Sequence, residues 1–363
     1  MKTKVLHVLG GMGRGGAPSF IINNLLRLNP HEIQFDFLVR KDNCAFNDEI
    51  ESRGGRIFVV SPFPKNIWKN YKETKKFFQK YGKEYDAIHI HANALYYILP
   101  FILAKKAGIK KIILHSHNTQ SNVSFLQPIH YLNKFFVSYF ANIFLACGKQ
   151  AGKWMYNDKH FEVINNAVDT QKFSYNETYR KEIRMEFNIP ENCVLIGNVG
   201  RFQEVKNHSF LIDIFSEFHK KHPESFLLLP GEGTLLNAMK DKAKNLGLSN
   251  RIIFPGVRSD IEKIYSALDI FVMPSLYEGL PFVGIEAQCS GLRCILSDHV
   301  TEEAFLTDLC TSVSLDENAY QWSCVIENQL EKSIKRESYS KIIRDNDYDI
   351  NYTAKRLLTI YKQ

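Results

Sequence analysis

Short runs of Ile, Val, Leu and Phe recur along the chain, separated by longer stretches in which apolar residues return every three or four positions. Six runs occupy the first half: KVLHVLG (4–10), FDFLVR (35–40), RIFVVS (56–61), AIHIHA (87–92), KIILHSH (111–117) and IFLACG (143–148). Five follow in the second: VLIGNVG (194–200), SFLLLPG (225–231), IIFPGV (252–257), IFVMPS (270–275) and CILSD (294–298). Runs that are apolar throughout suit parallel strands covered on both faces. The segments between them have helical periodicity, as in FLIDIFSEFHKKH (210–222). The alternation occurs twice over, which predicts an α/β chain of two doubly wound domains. The character changes across and after EVINNAVDTQKF (162–173), and the predicted organisation is 1–168, 169–346 and a closing helix in 347–363. That last helix starts near an Asp or Asn, a residue type suited to a cap.

Composition supports two cores. A chain of 363 residues, 45% hydrophobic and 23% charged, is long enough for two domains and ordinary for a soluble globular protein. The charge is uneven: residues 1–170 hold 23 Lys+Arg against 12 Asp+Glu, and residues 171–363 hold 23 against 27. A basic first half suits an anionic membrane, an anionic substrate or nucleic acid, or it is a solvated lysine-rich surface. Seven cysteines without a C-x-x-C pair or a Cys/His cluster read as free thiols of a reducing compartment. The longest apolar stretch, 94–104, is about half of the ~20 residues a membrane span needs. Arg14 and the glycines around it cut the opening apolar stretch too short for a signal peptide. The expectation is a cytoplasmic protein able to rest on a membrane surface.

Ligands of open α/β sheets bind beyond the carboxyl ends of the strands, so the polar residues there carry the chemistry. In LGGMGRGGAPSF (9–20), Gly11, Gly13 and Gly16 fit G-x-G-x-x-G between a strand and a helix. Such a loop lets a phosphate approach backbone N–H groups. The second strand begins with Asp36 and ends in Arg40, whereas an NAD site wants an acid at that end, so a phosphate loop is the preferred reading. KIILHSHNT (111–119) ends in His115 and His117; parity puts both on one side of the strand and does not choose between them. In IGNVGRFQEVKNHSF (196–210), Arg201 and Lys206 lie between a strand end and a helix start, as a diphosphate cradle would. The most specific segment is PSLYEGLPFVGIEAQCSG (274–291). It places Glu278 in the loop after a strand, Pro281 at a helix start and Glu286 near the second turn. Two carboxylates and a helix N-terminus can then meet one ligand, with the carboxylates accepting from vicinal hydroxyls.

At this point the chain resembles the retaining glycosyltransferases of group 1, which have the GT-B fold, and especially those of bacterial exopolysaccharide and capsule synthesis. The resemblance runs through HVLGGMGRGGA, HSHNT, ACGKQAGKWMY, VINNAVD, GRFQEVKNHSFLI, PGEG, GVRSDI and PSLYEGLPFVGIEAQCSGLRCILSD in that order. It implies two facing Rossmann-like domains with a cleft between them, acceptor-side first and donor-side second, and a closing helix packed back on the first. It implies that Glu286 binds the donor ribose and Glu278 the transferred sugar. Arg201 and Lys206 would hold the diphosphate, Gly16 would approach the phosphates and His117 would face the transferred sugar. Val257 and Arg258 would flank the base, while the backbone of Gly279, Leu280, Pro281, Phe282 and Val283 lines the donor site. Pro18, Ala167 and the PGEG turn depart from the common pattern.

The resemblance also implies retention of configuration, with same-face attack and the donor phosphate taking the acceptor's proton. No metal is expected: Asp345, Asp347 and Asp349 fit D-x-D but precede the last helix, where caps and charge explain them. No cofactor is expected beside the nucleotide-sugar co-substrate, a UDP-sugar. The acceptor side mixes aromatics with lysines at 66–85 and is aromatic and nearly acid-free at 123–140. A polyprenyl-diphosphate-linked glycan at an anionic membrane surface fits, and nucleic acid is not an expected partner. A non-hydrolysing sugar-nucleotide epimerase shares the fold and is the alternative; an NAD(P) oxidoreductase is a distant third.

Overall fold

The computed structural model describes residues 2–13, 15–118, 126–332 and 334–363. Arg14, Thr119 of HSHNT and residues 123–125 of the aromatic segment lie outside them. The chain divides into two compact units, Met1–Ala167 with Ile350–Gln363, and Val168–Asp349.

The first unit is built on β1 (Thr3–Leu9), β2 (Ile33–Val39), β3 (Ile57–Val59), β4 (Ala87–Ala92), β5 (Lys111–Ser116), β6 (Ile143–Ala146) and β7 (Glu162–Val163). They form one parallel sheet in the order β3-β2-β1-β4-β5-β6-β7. The second unit carries β8 (Leu195–Gly197), β9 (Phe226–Leu228), β10 (Ile252–Ile253), β11 (Ile270–Met273), β12 (Arg293–Ser297) and β13 (Cys310–Val313). Its parallel order is β10-β9-β8-β11-β12-β13. Each apolar run read from the sequence overlaps one of these strands. Both sheets reverse their winding next to the first strand, between β1 and β4 and between β8 and β11. A crevice opens at such a switch point, beyond the carboxyl ends of the strands.

The helix Ile350–Lys362 belongs to the first unit. It buries Ile350, Ala354, Leu357, Ile360 and Tyr361, and a buried Leu or Ile side chain contributes about 1.5–3 kcal/mol. The Tyr361 hydroxyl lies 2.7 Å from His89 Nδ1. Thr353 bonds to Asn24 at 3.0 Å, and Arg356 forms an ion pair with Glu162. Just before this helix Asp347 is left-handed at φ 64°, and the buried Asp349 accepts from the Thr170 hydroxyl.

Candidate functional site

In the second unit, the loop after β8 is shaped by the PGEG turn. Gly200 N–H donates to Pro230 O at 3.3 Å and Phe202 N–H to Glu232 O at 2.8 Å. Gly231 and Gly233 have φ near 153° and 152°; a Cβ on them would lie 2.0 Å from Gly200 O and 2.4 Å from Phe202 O. Both glycines are therefore demanded by backbone conformation and by close approach. The result is a rigid loop with Arg201 exposed at its tip. Among the described residues no side-chain partner holds the Arg201 guanidinium.

Lys206 runs its stem past Gly200, where a Cβ would stand 3.7 Å from its Cε. Its Nζ ends 2.5 Å from Glu278 Oε1, both side chains being largely covered at 19% and 16% exposure. The loops that carry them are stitched together, since Leu276 N–H donates to Val205 O at 2.8 Å. Glu278 is further pinned by backbone bonds to His299 and Thr301. Two residues 72 positions apart in sequence thus meet at the β8/β11 switch point.

The helix Phe282–Cys289 follows an extended Pro281 with no side-chain cap, so its first turn keeps unpaired N–H character. Gly279 has no protein atom within 4 Å of where its Cβ would be. One turn into the helix, Glu286 Oε2 accepts from the Tyr265 hydroxyl at 3.0 Å. Burial raises the Glu286 carboxyl to about 7, against the opposing pull of Tyr265 and Lys172. Val257, beyond β10, is exposed. The neighbouring Arg258 guanidinium is committed to Glu186 and Asp260 at 2.6 and 2.7 Å. Arg258 therefore anchors its loop to the helix Glu177–Glu186, with the exposed Val257 beside it.

In the first unit, the glycine loop divides into two parts. A Cβ on Gly11 would meet Asn43 Oδ1 at 2.5 Å and Lys41 Cβ at 3.2 Å, and one on Gly13 would meet Asn43 Nδ2 at 3.1 Å. These two glycines make room for the chain's own residues after β2, and Gly11 also lines a cavity there. Gly16, at the start of the helix Gly16–Arg27, faces open space instead.

Beside this loop five histidines share one sheet face. Register pairs His7 with His89 and His91 with His115, and His117 follows one pleat later. His7 Nδ1 lies 2.9 Å from His91 Nε2, and His91 Nδ1 lies 2.7 Å from His117 Nε2. Burial holds His7 and His117 down to about 3 and the others well below the usual imidazole range. All are neutral hydrogen-bonding groups near neutral pH. A neutral imidazole has one N–H and one bare nitrogen. His7 Nε2 is buried without a partner, and a bare nitrogen there costs less than an orphaned N–H. His7 therefore donates from Nδ1 to His91, His91 donates from Nδ1 to His117, and His117 keeps its own proton on Nδ1. The triads His7/His89/His91 and His91/His115/His117 bring nitrogens within 4.8 Å of one another. Two imidazoles on one tetrahedral zinc stand ~3.4 Å apart, so the shorter spacings here fit N–H···N bonds.

His117 lines a cavity of about 370 Å³ at the β1/β4 switch point, together with Gly10, Pro18, Arg40, Lys41 and Tyr97. The residues that motif reading did not single out are His7, His91 and Tyr265. The repeated H-x-H of AIHIHA and HSH was the one available signal for the histidine chain.

Residues 179–346 match the family described as Glycosyl transferases group 1. EpsF of Bacillus subtilis (strain 168), which bears the name of a glycosyltransferase, is 32% identical, over 99% of this chain and 96% of that one. The chain belongs to the group 1 glycosyl transferases. A second member is 29% identical over 82% of this chain and 80% of its own: the UDP-Gal:alpha-D-GlcNAc-diphosphoundecaprenol alpha-1,3-galactosyltransferase of Escherichia coli. The group 1 fold extends to solved structures. Anabaena Alr3699/HepE in complex with UDP matches with a TM-score of 0.80 at 18% identity, covering 99% of both chains. Sucrose-phosphate synthase from Thermosynechococcus elongatus matches at 0.75 and 17% identity, covering 100% of this chain and 99% of its own. Both units of this group 1 transferase are Rossmann-like, as the GT-B fold requires.

Proposed function

We propose that this group 1 transferase moves a hexose or N-acetylhexosamine from a UDP-sugar to a polyprenyl-diphosphate-linked glycan. The reaction retains configuration, needs no metal or other cofactor, and serves exopolysaccharide or capsule synthesis at the cytoplasmic face of a membrane. The observation that carries this reading is the second unit's switch point. Lys206, Glu278 and an uncapped helix start meet there on a loop whose Gly279 leaves open space, and Glu286 lies one turn into that helix.

In this reading Glu286 accepts from both ribose hydroxyls, and Val257 packs against the base. Arg201 and Lys206 bind the diphosphate, joined by the amides at the start of the helix Phe282–Cys289, and Glu278 contacts hydroxyls of the transferred sugar. The first unit's part in this reading is Gly16 toward a phosphate and His117 toward a sugar hydroxyl. The acceptor hydroxyl attacks the anomeric carbon as its bond to phosphate breaks. Its proton passes to the departing diphosphate, whose developing charge Arg201 and Lys206 stabilise. The printed names of the two relatives support a glycan product and a lipid-diphosphate acceptor by analogy. Exposed Trp68 on the helix Ile67–Tyr81 and Phe135 on the helix Gln127–Phe135, at 80% and 77%, support a membrane-facing first unit.

A screen of labelled nucleotide sugars tests the reading. Release of UDP that depends on a prenyl-diphosphate glycan, insensitive to chelator and yielding the donor's anomeric configuration, is expected. Donor turnover without any acceptor would point to the epimerase instead.

A further inference from the structure

Arg40 stands at the end of β2, and its N–H donates to Gly10 O at 3.2 Å, which draws it beside the end of β1. Its guanidinium lies over the Tyr97 ring, 4.6 Å from the centroid. That ring is itself fixed: the Tyr97 hydroxyl donates to Asn70 Oδ1 at 2.9 Å, and the buried Asn70 donates to Ser61 O at 2.7 Å. An aromatic face, not an acid, therefore holds this cation in place.

Several other arginines are paired with carboxylates, whereas among the described residues the exposed Arg201 is not. Arg56 pairs with Asp36, Arg184 with Asp269, and Arg258 with Glu186 and Asp260. Among the described residues Arg40 has no carboxylate partner, and its Nε is buried without a hydrogen-bond acceptor. None of the residues lining the cavity it borders is Asp or Glu, while Lys41 adds a second cation. Arginine stays charged even where burial opposes it, as it does here. A half-buried charge without a counter-ion is costly to the folded chain, and a bound anion relieves that cost.

We infer that this cavity of the first unit is an anion site, built for the phosphate-bearing end of the acceptor, a phosphate or diphosphate ester that joins the glycan to its carrier. The anion site rests on the cavity alone; the identity of its ligand rests on the reading proposed above. Arg40 supplies a planar fork for two phosphate oxygens and Lys41 a point charge. His117, donating from Nδ1, stands on the same wall.

The test uses the full chain saturated with UDP, so that diphosphate sites of the second unit are filled, titrated with inorganic pyrophosphate by calorimetry. The wild type is expected to bind it, and Arg40→Gln at least ~10-fold more weakly, with UDP affinity unchanged. The melting temperature of Arg40→Gln is expected at or above that of wild type, because a cation without a counter-ion is removed. Arg40→Lys, which keeps the charge and loses the fork, is expected to fall between the two and serves if Arg40→Gln does not fold. Equal pyrophosphate affinity in wild type and both variants overturns the anion site, and loss of UDP affinity in Arg40→Gln reassigns Arg40 to the donor. Kinetics with one glycan on a prenyl diphosphate and on an uncharged alkyl ether test the ligand. Arg40→Gln is expected to raise KM at least ~10-fold for the first alone; an equal rise for both overturns the carrier assignment.

Discussion

Lys206 Nζ and Glu278 Oε1 lie 2.5 Å apart, so the cation proposed for the donor diphosphate is paired with the acid proposed for the sugar. A diphosphate must share or displace that pairing. Glu278→Gln should leave Lys206 free for the phosphates. UDP affinity is expected to stay equal or tighten several-fold, while transfer falls by about 10²-fold, the scale of a lost interaction made at the reacting sugar. Calorimetry with UDP and steady-state rates check the two halves separately. Weaker UDP binding would mean that Glu278 assists the phosphates.

Glu286 links donor binding to pH. Its carboxyl titrates near 7 in the folded chain because burial opposes the charge, and only the ionised form accepts from two ribose hydroxyls. UDP affinity should be flat above 7 and fall about tenfold per unit below it. Glu286→Gln should bind weakly at every pH.

Stability runs the other way for the same residue. The unfolded carboxyl ionises near ~4.3 and the folded one near 7, so between them the folded chain holds the extra proton. Stability conferred by the neutral form is complete below the first value and declines to a plateau above the second. Glu286→Gln removes that loss. Its advantage over wild type is expected to be absent near pH ~4 and to reach roughly 1–3 kcal/mol above neutrality, as read from denaturant melts.

The histidine chain predicts a tautomer. Long-range proton–nitrogen correlation spectra should show His117 neutral and protonated on Nδ1. His91→Phe removes the donor to His117 Nε2 and should release that preference, lowering transfer about 10-fold. His91→Asn places an amide N–H where His91 Nδ1 stood and should restore much of both. A His117 protonated on Nε2 in the wild type would refute the direction of the chain.

Lys72, Lys75, Lys76 and Lys80 are exposed on the same helix as Trp68. Each can add about 1 kcal/mol at an anionic surface, screened over ~8 Å at physiological salt. Sedimentation with anionic vesicles at low salt, release as salt rises, and loss on charge reversal of the four are expected, with UDP affinity intact. Equal binding to neutral vesicles would argue against the electrostatic part.

Strands were readable because burial on both faces forces a continuous apolar run, and IFVMPS or KIILHSH can hardly be anything else. The edges β7 and β13 were not. Cys310–Val313 is a strand with the sequence CTSV, of which only Val313 is fully buried, so it carries no apolar run. The site was legible where one segment holds it, as in PSLYEGLPFVGIEAQ. The pairing of Lys206 with Glu278 was not, since it depends on which strands are neighbours. The isolation of Arg40 was harder still, because it is a property of what five separate segments fail to supply. The glycine pattern carries a second demand: Gly11 and Gly13 leave room for Asn43, which no local motif announces.

The return of Ile350–Lys362 to the first unit sets an order of assembly. The ribosome begins that unit, then makes all of Val168–Asp349, and only afterwards delivers the helix that seats Tyr361 against His7, His89 and Phe35. At 5–20 residues per second the wait is roughly 10–40 s. Throughout it the surface meant for Leu357, Ile360 and Tyr361 lies open to water. The unit begun first is completed last, and any stall in translating the second half leaves a nascent chain with an exposed apolar face, the kind of surface on which chaperones act.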